Sequence, residues 1–348
     1  MPPLPPGYPP FRPRAPWWGP DLQTLRNTLR RPRHPLPVGE ALLFPMDDGT
    51  GDCLAGTLHQ PAESVGDRPL VVLVHGLAGS EDSPYIRSAA AAALARGHAA
   101  LRLNLRGAGP FVGRTRQRYH AGRTADARAV LARLAAGHPG LTAGGIVVAG
   151  YSLAGNMVLK LMGEPGLPPA VRGAMAVSAP IDLSATSRRF LKARNRPYHL
   201  WLLRQMKAET LAMPAAPGSD EAGWLAAVVR ARTIYDFDDG YVAPANGWRD
   251  AEEYYRVNSA LRFLRGISRP TLVVHALDDP WIAPDPYRAF DWAAHPALIP
   301  LIVPQGGHVG FHGDRDQPMG ERPVGEQPGG LAGTWVDRCL MRFLETLA

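Results

Sequence analysis

Lysine is nearly absent: Lys160, Lys192 and Lys207 are the only ones among 38 basic residues, the other 35 being arginine. That skew reads as a coding bias. The arginines are scattered without a nucleic-acid motif, so the net charge of +7 implies no nucleic-acid partner. Cysteine is scarcer still. Cys53 and Cys339, near opposite ends, form no disulfide framework, which suits a reducing compartment and leads us to expect a cytoplasmic protein. No uninterrupted apolar run approaches the roughly 18 residues of a membrane span, and the first residues have neither the basic start nor the apolar centre of a secretory signal. Metal motifs are missing too: there is no His-Glu-x-x-His or paired Cys/His spacing, and Asp236, Asp238 and Asp239 lack the offsets of a calcium loop. Gly107-x-Gly109 alone is weak evidence for a nucleotide. No metal and no cofactor are expected.

Proline and glycine are plentiful, at 36 and 37 residues of 348. Residues 1–16 carry proline at nearly every second position, which favours extended polyproline II and offers little to a packed core. They are expected to form an arm ahead of one α/β domain at 17–348. Trp17 and Trp18 then precede a short helix capped by Asp21, and their rings are expected to fix the arm to the domain, with lining of a substrate mouth as the alternative. Two strands, 41–44 and 53–59, flank the turn Asp47-Asp48-Gly49-Thr50-Gly51.

From residue 69 short apolar strands alternate with helices. Strands are expected at 70–74, 99–103, 145–149, 173–178, 271–275 and 298–303, with helices at 84–96, 124–136, 156–161, 290–294 and 335–347. Leu70-Val71-Val72-Leu73-Val74 is apolar throughout, as a strand covered on both faces must be. The pattern predicts a mostly parallel, doubly wound α/β sheet. The rhythm stops after the sixth strand, and residues 183–250 are expected to form a helical cap over the carboxyl edge. Its basic stretch, residues 188–196, suits either a solvated face or attraction of anionic lipid or acyl groups. Residues 313–330, rich in Gly, Pro and charge, read as a mobile surface loop.

Gly150-Tyr151-Ser152-Leu153-Ala154-Gly155 lies between the fifth strand and its helix. A serine at so tight a turn stands out above the carboxyl edge of the sheet, provided that its neighbours two residues away are small. Gly150 and Ala154 qualify, although Ala154 departs from the usual G-x-S-x-G. Ser152 is therefore a candidate nucleophile, and it needs a histidine to take its proton and a carboxylate to orient that histidine. On such a fold the order is Ser, acid, His. Ser152, Asp279 and His308 have that order and follow the expected strands. Asp278 competes for the acid's place. The spacing from Ala276 to Ile282 favours Asp279 as the inward carboxylate, leaving Asp278 to cap or face solvent. His312 reads as an ordinary loop histidine. The oxyanion of acyl transfer needs N–H donors, expected from Leu153 after the serine and from Leu77 in His75-Gly76-Leu77 after the third strand.

Several blocks carry a likeness beyond the elbow: Asp21-Leu22-Gln23-Thr24, His75-Gly76-Leu77, Asn104-Leu105-Arg106-Gly107, Tyr119-His120-Ala121-Gly122, Asn156-Met157, Phe237-Asp238-Asp239, Tyr254-Tyr255, Asp278-Asp279-Pro280 and Gly306-Gly307-His308. From residue 16 onward the chain resembles the YheT-like esterases of the α/β-hydrolase superfamily. The resemblance implies a carboxylic ester hydrolase with its triad on Ser152, Asp279 and His308. The expected substrate is a small to medium acyl ester, with lipid acyl hydrolysis as the alternative and peripheral membrane contact open. A non-catalytic ligand-binding protein on the same fold is the reading from another class.

Overall fold

All five side chains of Leu70–Val74 are buried, and they enter two different cores. Leu70, Val72 and Val74 join Val130, Leu134 and Leu159 on one face; Val71 and Leu73 join Ile86, Ala89 and Leu340 on the other. Side chains alternate across a strand, so a run apolar at every position requires helices on both faces. Burying each such side chain stabilises the fold by about 1.5–3 kcal/mol. The structure, a computed structural model, describes residues 3–30, 32, 34–62, 67–213, 221–316 and 333–347.

The strands are β1 Glu40–Pro45, β2 Cys53–His59, β3 Leu70–Val74, β4 Ala100–Leu103, β5 Ile146–Tyr151, β6 Val171–Val177, β7 Thr271–Ala276 and β8 Leu298–Val303. They form one sheet in the order β1-β2-β4-β3-β5-β6-β7-β8. The pairings β1 with β2 and β2 with β4 are antiparallel; all others are parallel. Helix α1, Pro20–Arg30, precedes the sheet, and α2 Pro84–Ala95, α3 Thr124–Gly137 and α4 Leu153–Gly163 connect its parallel strands. Between β6 and β7 lie α5 Leu183–Phe190, α6 Arg196–Leu211, α7 Glu221–Arg230, α8 Ile234–Phe237, the single turn α9 Ala243–Ala245, and α10 Ala251–Asn258. This insertion has a core of its own, including Phe190, Leu202, Phe237 and Tyr254. Then come α11 Asp285–Ala289 and α12 Trp335–Glu345. Thr334 and Asp337 close α12 with a capping box.

Four local expectations need correction. The helix expected at 290–294 is there only a single 3-10 turn, Trp292–Ala294; the α-helix is α11 at Asp285–Ala289, with Pro286 in its first turn, ended where Phe290 turns extended. Helix α1 begins at Pro20, so Asp21 lies inside its first turn rather than at its cap. Trp18 fixes nothing, being 62% exposed, while Trp17 lies under Arg26 and Arg30. The proline-rich stretch does enter a core: Tyr8 is buried, Phe11 packs edge-on against Phe311 and Trp335, and Trp335 Nε1 donates to the Pro9 carbonyl. Of the loop expected at 313–330, residues 317–330 lie outside the described residues.

The loop after β4 is held by one buried cation. Arg106 bonds Asp126 at 2.7 and 2.9 Å and Asp52 at 3.1 Å, all three side chains being almost fully buried. Replacing Arg106 by Leu removes the cation shared by two buried carboxylates, leaving Asp126 to Arg123 and Asp52 to the Arg116 and Gln117 N–H groups, and urea unfolding is expected to show a loss of about 3 kcal/mol.

Candidate active site

Ser152 sits between β5 and α4 at φ 53° and ψ −122°, a conformation that costs a non-glycine residue about 1–3 kcal/mol. The tightness falls on Gly150, where a Cβ would stand 2.4 Å from the Ala154 carbonyl oxygen. Ala154 itself is fully buried in the first core, so its methyl group is accommodated. Gly76 must also be bare, because a Cβ there would lie 2.8 Å from Ser152 Cβ.

Ser152 Oγ is 2.9 Å from His308 Nε2, and His308 Nδ1 is 2.9 Å from Asp279 Oδ2. The Asp279 carboxylate is fully buried, and its other oxygen accepts from the Trp281 and Ile282 N–H groups at 2.8 and 3.0 Å. With the carboxylate as acceptor, His308 donates from Nδ1 and leaves Nε2 to accept from Ser152. The structure thus brings together the three residues singled out in the sequence. Asp278 turns away and accepts from the Gly307 N–H at 2.9 Å; burial pushes its carboxyl pKa up. The Trp281 ring stacks on His308 with centroids 4.3 Å apart.

The His308 loop is held by α1, a contact the sequence does not announce. His308 N–H donates to Thr24 Oγ1 at 2.9 Å, and Val309 N–H donates to Ser178 Oγ at 3.1 Å. Gln23, fully buried, donates to the carbonyls of Trp17 and His312 and accepts from His312 N–H at 2.7 Å. His312 is therefore no ordinary loop histidine. It is 2% exposed beside Arg26, and burial followed by that guanidinium holds its pKa down to about 3. The only sequence signal for these contacts was the block Asp21-Leu22-Gln23-Thr24.

Among the described residues no group accepts from the N–H of Leu77 or Leu153, and both residues line the space beside Ser152. The Leu77 loop is tied down from both sides. Ala78 N–H donates to Tyr119 Oη at 2.9 Å, and Leu105 N–H donates to His75 Nε2 at 3.1 Å. His75 Nε2 therefore carries no proton, and Nδ1–H donates to the Gly76 carbonyl at 2.8 Å.

Two cavities meet at Ser152. The inner one, about 90 Å³, lies under the helical insertion between Leu153, Phe190 and Tyr254. Its buried carboxyl, Asp238, accepts from Tyr255 Oη at 2.7 Å, and burial raises its pKa to about 7. The outer cleft, about 770 Å³, runs past His308 between α1 and α6. Among the described residues no cluster of metal-binding side chains occurs, and no helix is long and apolar enough to cross a membrane.

The family model for the α/β-hydrolase fold matches residues 69–314. Over 300 residues the chain is 37% identical to the candidate esterase YheT of Escherichia coli strain K12, covering 84% of each chain. It belongs to the YheT-like α/β-hydrolases. This hydrolase is also 28% identical to the human monoacylglycerol lipase ABHD2 over an alignment of 361 positions that covers 95% of this chain and 78% of that one. The Pyrococcus furiosus esterase Pf2001 shares the fold, with a TM-score of 0.53 at 17% identity over 87% of this chain and 91% of that one.

The neutral state of His75 carries a pH signature. Burial lowers its pKa from 6.5 to about 4, the Gly76 carbonyl opposing. Below 6.5 the unfolded chain takes up a proton that folded His75 refuses, so the associated stability is fully present above 6.5 and is lost as pH falls toward about 4. In urea unfolding, the stability gap between the parent and His75→Asn is expected to shrink by about 1.4 kcal/mol per pH unit as pH falls from 6.5 toward about 4. A gap independent of pH contradicts a neutral buried imidazole.

Proposed function

We propose that this hydrolase is a serine carboxylic ester hydrolase working through an acyl-enzyme on Ser152. The supporting observation is the continuous hydrogen-bonded chain from Ser152 through His308 to Asp279, each link 2.9 Å long. Ser152 Oγ attacks the ester carbonyl carbon while its proton passes to His308 Nε2, and Asp279 orients the ring and stabilises the imidazolium. The oxyanion is met by the N–H groups of Leu77 and Leu153, each such donor being worth about 2.7–4 kcal/mol. As the bond to the leaving alcohol breaks, His308 returns the proton to that alcohol. Water then repeats the sequence and frees the acid and Ser152.

The two cavities give acyl and alcohol groups separate places around the serine. The apolar lining favours a carboxylic ester carrying hydrocarbon on at least one side. Lipid acyl hydrolysis is the second reading; the 770 Å³ of the outer cleft favours it, together with the relatives named monoacylglycerol lipase. A purely ligand-binding role fits less well, since every member of the Ser-His-Asp chain is present and in contact.

Ser152→Ala is expected to lower p-nitrophenyl ester turnover by on the order of 10⁶-fold, with folding preserved. Equal turnover by the variant and the parent contradicts the proposal. A series of acyl chain lengths separates the two substrate readings.

A further inference from the structure

Helix α1 has inverted polarity. Its buried residue is Gln23, while Leu22 and Leu29 are exposed, Leu29 by 63%. Leu22, Leu25 and Leu29 follow at i, i+3 and i+7, one stripe that reaches the wall of the outer cleft at Leu25. Trp18 stands exposed just ahead of the helix. Across the opening, Leu200 and Trp201 of α6 are also exposed, and Trp201 lines the cleft. Scattered exposed leucines are ordinary, but Leu25 and Trp201 in the cleft wall, with Trp18, Leu22, Leu29 and Leu200 exposed on the same two segments, mark an interaction surface.

Charge selects the occupant. Between Arg188 and Lys207 the sequence has seven basic residues and no acidic one. Lys192, Arg196 and Arg204 are exposed and, among the described residues, have no acidic partner. Asp21, an acidic residue of the rim, is already paired with Arg194 at 2.9 Å and Tyr198 Oη at 2.8 Å. A second copy seated here by symmetry would set arginine against arginine. An anionic lipid surface answers both features, its headgroups meeting the cations and its acyl boundary meeting Trp and Leu.

We propose that the rim formed by Trp18, α1 and α6 docks this protein on an anionic lipid surface, with the outer cleft open toward the membrane. Docking requires only the exposed rim and is independent of the reaction assigned to Ser152.

The test is flotation of the full chain with vesicles of equimolar phosphatidylcholine and phosphatidylglycerol, beside pure phosphatidylcholine. The parent is expected to float with the anionic vesicles only, and added salt to weaken that binding. The double variant Trp18→Ser, Leu29→Ser is expected to bind about tenfold more weakly or less. Its turnover of a soluble short-chain ester should match the parent's, which also shows that it folds. Ser152→Ala should float like the parent, so a failure of the esterase reading leaves this result standing. No flotation, or equal flotation by the double variant, overturns the proposal. A dimer that the double variant abolishes assigns the rim to a second copy and overturns it as well.

Discussion

The strained backbone of Ser152 is the constraint on which the site depends. A serine at positive φ between a strand and a helix cannot relax into either, and its side chain is left standing above the sheet edge. The strain persists because the surroundings fix it on every side: Gly150 has no room for a Cβ beside Ala154, Gly76 has none beside Ser152, and Ser152 N–H is bonded to the Val177 carbonyl at 2.8 Å. The central position of β5, paired with β3 and β6, supplies that rigidity. Asp279 and His308 come to the serine from loops at the same sheet edge.

Those parts were legible in the sequence to different degrees, for physical reasons. Strand and helix alternation follows from side-chain periodicity, and the elbow and the order Ser152, Asp279, His308 follow from what a strand-end loop can hold. The choice between Asp278 and Asp279 could be made because a tight turn sends neighbouring carboxylates in different directions: one meets His308 Nδ1, the other the Gly307 N–H. Contacts between distant segments left no trace in the local periodicity. Gln23 bonds His312 across 289 positions, and Thr24 bonds His308 across 284. The same blindness applied to the proline-rich stretch, whose Tyr8 and Phe11 find their core against Trp335 and Phe311 rather than near their own place in the chain.

Helix α1 shows how the two sides of such a segment divide. Its inward polar residues complete the hydrogen bonds of a loop full of positive-φ positions, Gly307, Val309 and Phe311 among them. Its Leu25 lines the cleft that this loop helps to form, and Leu22 and Leu29 on the same stripe are exposed. The helical insertion completes the other wall and, through Arg189, bonds the carbonyls of Asp279 and Pro280. Rearranging either wall would therefore move both the loops that carry Asp279 and His308 and the space beside Ser152.

The proposed esterase activity requires that His308 make Ser152 nucleophilic in the folded protein. Labelling of the intact protein with a fluorophosphonate, followed by peptide mass mapping, tests it most directly. A single adduct on Ser152 is expected, lost in His308→Ala and in urea-unfolded protein. An unlabelled Ser152, or labelling that persists without His308, would contradict it.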